Sequence, residues 1–165
     1  MDSMIADCKH SLNQNQKCKQ INYTKNSTKQ KEERAFFKNR VKKAFLHWLY
    51  YKGLIPWKEL PSFLDVHHKH PLGGGGSNEF TNLVIMVRRD HEKMNREIIE
   101  PQLRGIREGE TREITVPWWN SEKGEFIDWE GIYRYLEELE RSRRMHSSGR
   151  AYGRIHGHVC GRGGR

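Results

Sequence analysis

Cysteine is scarce in this chain of 165 residues, and long apolar runs are missing altogether. The three cysteines, Cys8, Cys18 and Cys160, form no CxxC pair. They predict neither a zinc ribbon nor a disulfide framework, and reduced thiols are the expectation. No stretch approaches the ~18 consecutive apolar residues of a membrane span, so no membrane partner is expected. Residues 1–19 contain no apolar segment of the signal-peptide kind, which predicts a cytoplasmic protein. No HExxH spacing occurs, which argues against metalloprotease chemistry. Internal repeats are absent too. What remains, 35% apolar and 31% charged residues with a mean hydropathy of −0.95, is enough for one modest core.

The charge is strongly of one sign. A net +9 and a pI near 9.6 favour a polyanionic partner. The excess sits mainly in the first sixty residues. The centre of the chain is slightly acidic, and the last twenty residues hold four arginines and no acid. A near-neutral centre with basic flanks suits an enzyme whose arms grip phosphates. It equally suits basic tails that hold nucleic acid without specificity.

Residues 1–30, rich in Asn, Gln, Lys, Ser and Thr, read as a disordered basic arm. Residues 31–145 form the expected domain, and residues 146–165 a disordered Gly/Arg-rich tail. Phe37, Val41, Ala44, Phe45, Trp48 and Leu49 recur at helical spacing, which predicts a helix from Lys31 to Lys52 with Gly53 as its cap. Phe63–His67 predicts a short strand, residues 72–79 a glycine-rich loop, and the β-branched run Leu83–Val87 a buried strand. Asp90 is expected to cap a helix that starts at His91 and ends or kinks at Pro101. Thr111–Trp118 reads as a further strand. Asp128 is expected to cap a helix through Met145, with Trp129, Ile132, Tyr133, Leu136 and Leu139 as its core-facing stripe. The predicted class is α+β: a strand–loop–strand–helix unit with flanking helices and disordered basic termini.

Four of the nine histidines, His67, His68, His70 and His91, fall within this unit. Adjacent histidines at a strand end point to different sides, so one can bind a metal while the other addresses a water beside it. Neutral imidazole serves both purposes near pH 7. His91, at the start of the next helix, can reach back toward His67 if the strands form a hairpin. Asn95 follows one helical turn later on the same side. His70 reads as a loop residue.

The segment HHKHPLGGGGSNEFTNLVIMVRRDHEKMN resembles the HNH, or ββα-metal, nuclease motif, most closely that of colicin and S-type pyocin nuclease domains. The resemblance covers residues 63–96. It rests on His67-His68, Pro71, the Gly73–Gly76 run, Asn82 before the apolar strand, and His91 nine residues later. It implies an endonuclease that hydrolyses phosphodiester bonds of DNA, double-stranded above all, with a single divalent cation. By the same resemblance His68 is the general base, His67 and His91 are metal ligands, and Asn82 braces the loop that aims the base. Asp65 matches an acidic position that orients an imidazole from behind.

Where the bacteriocin enzymes carry a third histidine, this chain has Asn95, an amide oxygen that suits magnesium or manganese better than zinc or nickel. The CxxC pairs that flank many HNH motifs are absent. The helix that follows the motif implies phosphate contacts from Arg88, Arg89, Lys93 and Arg96. A phage or mobile-element enzyme is the expected setting. The alternative is a metal-stabilised DNA-binding module without catalysis, which accounts for the charge and the histidines but not for the His-His pair with Asn82.

Overall fold

The computed structural model describes residues 16–156, with side chains described as far as residue 147. It is an α+β chain that parts into two compact units after Trp129.

The first unit opens with strand β1, Cys18–Thr24, inside the segment expected to be a disordered arm. It pairs antiparallel with β4, Thr111–Pro117, so that Ile21 faces Ile114. Only two positions of β1 carry large apolar side chains that are buried, Ile21 and Tyr23, and the partner strand lies some ninety residues away. Neither fact gives the local sequence a strong strand signature. The rest of the expected arm, residues 1–15, lies outside the described residues. Cys18 is disulfide-bonded, which corrects the expectation of reduced thiols. An odd count of cysteines without a local pair carries no signal for such a bridge.

Asn26 ends the link that follows β1 and caps helix α1, Ser27–Phe36, its side-chain oxygen accepting from the Lys29 amide at 3.0 Å. Glu108 adds a second cap from across the fold, accepting from the Ser27 amide at 2.6 Å and its hydroxyl at 2.8 Å. The helix passes through a π-helical turn, Phe37–Val41, into α2, Lys42–Tyr51. The expected helix therefore starts four residues early and carries a wider turn in its middle. Phe45 and Leu49 of α2 are fully buried. Phe45 packs on Phe80, and Trp48 stands edge-on to Phe126 at 5.1 Å between ring centres.

Strands β2, Leu64–His68, and β3, Leu83–Val87, form an antiparallel pair in which His67 lies opposite Val84 and Asp65 opposite Met86. Every residue of β3 is buried. Helix α3, Arg88–Met94, follows without a break. It begins three residues before the expected start, with Val87 at the cap position, and Asp90 is a buried member of its first turn rather than its cap. A second π-helical turn, Asn95–Ile99, leads to the short α4, Glu100–Gln102, which stops one residue past Pro101. Val84 and Met86 from β3, Met94, Ile98 and Ile99 from the helical segment, and Ile21, Ile114, Val116 and Trp119 form one core cluster. Burying each such side chain contributes about 1.5–3 kcal/mol. The β1–β4 pair thus serves as a floor on which the hairpin and its helix rest.

Helix α5, Trp129–His156, extends past the expected end at Met145 into the segment expected to be a disordered tail. Residues 157–165 lie outside the described part. Tyr133, Leu136 and Leu139, expected in the core, are exposed. Arg141 and Arg144 pair with Glu137 and Glu140 one turn earlier, contacts worth a few tenths of a kcal/mol each. No helix among the described residues is long and apolar enough to cross a membrane.

Candidate active site

Side chains alternate along β2, so Asp65 and His67 share one face. His67 is buried, 3% exposed, with its ring centre 5.0 Å from that of His91 and 6.1 Å from that of Trp119. Its Nε2 is buried without a hydrogen-bond partner. A polar atom in that position costs on the order of 1–3 kcal/mol, so the fold carries it at a loss unless something binds there. Burial holds the imidazole well below its ordinary pKa, and His91, His68 and Lys69 push in the same direction. His67 is therefore a neutral imidazole, the form that donates a lone pair.

His91 faces it from the first turns of α3. Its Nδ1 donates to Asp65 Oδ2 at 3.2 Å, and the other Asp65 oxygen accepts from Arg88 Nε at 3.3 Å. With its proton on Nδ1, His91 keeps the Nε2 lone pair for a ligand. Asp65 thus orients an imidazole, and the imidazole is that of His91.

His68 ends β2 and belongs to a different set of contacts. Its Nε2 lies 2.8 Å from Asn78 Oδ1. The Asn78 amide cannot be turned round, because its Nδ2 donates to Glu33 Oε2 at 2.7 Å and to the Glu33 carbonyl at 3.0 Å. The Asn78 oxygen must accept, so His68 carries its proton on Nε2 and its lone pair on Nδ1. Phe37 closes against the ring edge-on at 4.5 Å. Burial lowers the His68 pKa; the Asn78 bond and Glu33 oppose that shift, while Arg34 and His91 add to it.

His67, His68, His91 and Asn95 all line one cavity of about 210 Å³. Tyr23, Gln30, Arg34 and Phe37 complete much of its wall, all from the segment that pattern reading assigned to the arm and to a packing helix. Both π-helical turns begin with a residue of this cavity, Phe37 in one and Asn95 in the other.

The glycine loop joins β2 to β3 around Asn82. Its Oδ1 accepts from the His70 amide at 2.9 Å, and its Nδ2 donates to the His70 and Ser77 carbonyls at 3.0 and 2.9 Å. Asn82 therefore ties the two ends of the loop together, whereas the orientation of His68 comes from Asn78. Two glycines are required by close approach. A Cβ on Gly74 would enter the Tyr23 ring, and one on Gly76 would strike the His70 carbonyl. His70 Nε2 bonds the Gly74 carbonyl at 3.0 Å, as befits a loop residue.

Lys69, between two of these histidines, is 1% exposed. Its ammonium donates to the Trp119 carbonyl at 2.8 Å and lies 4.6 Å from the Trp118 ring centre. Burial lowers its pKa, Lys19 does so further, and Glu125 acts against both. Nothing in the segment HHKH distinguishes this lysine from a solvent-facing one.

Among the described residues no three His, Cys, Asp or Glu side chains converge on one point. The donors on offer are two imidazoles and the Asn95 amide, a set that suits a divalent cation which keeps water on its open positions. The orphaned His67 nitrogen fits such an occupant. Arg88, Arg89 and Arg96 are exposed and Lys93 half-buried. Arg88 is engaged by Asp65, while Arg89 and Arg96 lie 4.0 and 3.8 Å from Asp90 and Glu97. No family model, curated protein or solved structure matches this chain.

Proposed function

We propose that this chain is a metal-dependent endonuclease of the HNH type, with a ββα-metal core, that hydrolyses phosphodiester bonds of DNA. One observation carries the reading: the buried, partnerless His67 Nε2 in a cavity shared with His68, His91 and Asn95. A neutral imidazole held there without a partner is costly for stability and useful for ligation.

His67 and His91 would hold the cation, with Asn95 supplying an amide oxygen, and magnesium or manganese suits that set best. When bound, such an ion supplies charge relief to a phosphate. The remaining work belongs to the chain's own side chains. His68, protonated on Nε2, accepts a proton from water at Nδ1 as general base. Asn78 keeps that tautomer in place, and Asn82 keeps the loop from drifting. Arg34, in the cavity wall, offers a cation to phosphate oxygens. Arg88, Arg89, Lys93 and Arg96 contact the backbone of the duplex without reading its bases.

Incubation of the purified chain with supercoiled plasmid and magnesium, manganese, zinc or nickel tests this. Nicking that EDTA abolishes supports the proposal. Intact plasmid under every metal contradicts it.

A further inference from the structure

A second and larger concavity, about 690 Å³, opens on the other side of the glycine loop. Gly73 lines the histidine cavity, whereas Gly75 and Gly76 line this cleft, so the two flank the same short segment. Along β1 the face that buries Ile21 and Tyr23 runs back, two residues at a time, through Lys19 to Lys17 just before the strand. An inward strand face normally stays apolar; here it becomes Lys-x-Lys where the core ends, and both lysines line the cleft.

The Lys19 ammonium lies 4.4 Å from the Trp118 ring centre, and the Lys69 ammonium 4.6 Å from the same centre. Two ammonium groups share one indole, and the Lys19 charge acts on Lys69, a repulsion that an anion held in the cleft would relieve. The buried charge of the wall is the Lys69 cation. The carboxylates in the lining, Glu79 and Glu122, are exposed.

We infer that this cleft is a phosphate subsite for a nucleic-acid strand, in which Lys17 and Lys19 take backbone phosphates beyond the one at the histidine cavity. The inference rests on the nuclease reading for the identity of its ligand, but its test does not depend on turnover. The cleft is large enough for one nucleotide unit, within the range of ~300–1,000 Å³ of ordinary ligand sites.

The probe is a short single-stranded oligothymidylate, titrated in EDTA at several salt concentrations and followed by tryptophan emission. Withdrawal of Lys19 from the indole should alter the Trp118 signal. Trp118→Phe should remove that change. The Lys17→Ala/Lys19→Ala pair should weaken binding about five- to tenfold near ~0.1 M salt and lower the salt slope by about 0.7 per lost contact. A Lys17→Glu/Lys19→Glu pair should weaken it further, and thermal melts confirm that both pairs fold. Parental affinity and slope in both folded pairs would overturn the inference, whatever the plasmid assay shows. If the parent binds through these lysines yet never cleaves, the cleft stands and the nuclease reading fails.

Discussion

Asn78 Oδ1 lies 2.8 Å from His68 Nε2, and Glu33 fixes the amide from behind. The relationship makes Asn78 a positioning residue for the proposed base. Asn78→Ala should lower kcat about 10–100-fold while KM and metal affinity stay near parental values. Nitrogen NMR of the metal-free protein checks the cause. The parent should show His68 protonated on Nε2, and the variant a tautomer mixture. A pure Nε2-H signal in the variant would remove Asn78 from this role.

His67 separates stability from function. Its orphaned Nε2 disfavours the metal-free fold, so His67→Leu, which fills similar space without a polar atom, should leave the metal-free protein at least as stable as the parent. Manganese should raise the Tm of the parent and leave that of the variant unchanged. His91→Ala should likewise lose the metal-dependent rise. Thermal melts with and without manganese decide the matter. An equal rise in His67→Leu would exclude this histidine as a ligand.

The glycine loop carries a steric requirement. A Cβ at position 76 would meet the His70 carbonyl, which accepts from the Asn82 brace. Gly76→Ala should destabilise the protein by about 1–3 kcal/mol and reduce cleavage. Gly75, which has open space at its Cβ but a φ of 97°, should cost about 1–2 kcal/mol through backbone strain alone. Denaturant titration of the two variants checks both values.

Glu108 links acid stability to the wall of the site, because it caps the helix that carries Glu33, Arg34 and, just beyond it, Phe37. The Ser27 amide, then the Ser27 hydroxyl, hold its carboxyl below the ordinary value; Lys25 adds to this, and slight desolvation opposes it. A folded-state pKa below the unfolded one gives stability that is full above the unfolded value and lost as pH falls through the folded one. Glu108→Gln should therefore lower the Tm at neutral pH, and the gap from the parent should close in acid below the carboxylate range. A gap that persists unchanged there would mean that the carboxylate charge contributes nothing.

Much of the hairpin was legible in the chain. Leu83–Val87 is a strand with the expected bounds, because a wholly apolar β-branched run between turn residues has few other solutions. The alternation Asp65–His67 and the offset to His91 likewise follow from strand and helix periods. What pattern reading missed depends on distant partners. β1 has two buried large apolar residues and a register set by β4, so the arm looked unstructured. Asn78 reads as loop filler until Glu33 is seen to fix its amide. The π-helical turns leave no mark in a pattern of apolar and polar residues, and Lys69 is buried only because Trp118 and Trp119 cover it.

The most direct test of the proposed chemistry is the cleavage rate of His68→Ala beside the parent, on supercoiled plasmid with saturating manganese. Metal occupancy of both proteins is checked by calorimetry on the same samples. The expected result is a rate lower by about 10²–10⁴-fold with manganese affinity unchanged. A metal-loaded variant that nicks plasmid at near the parental rate would contradict it.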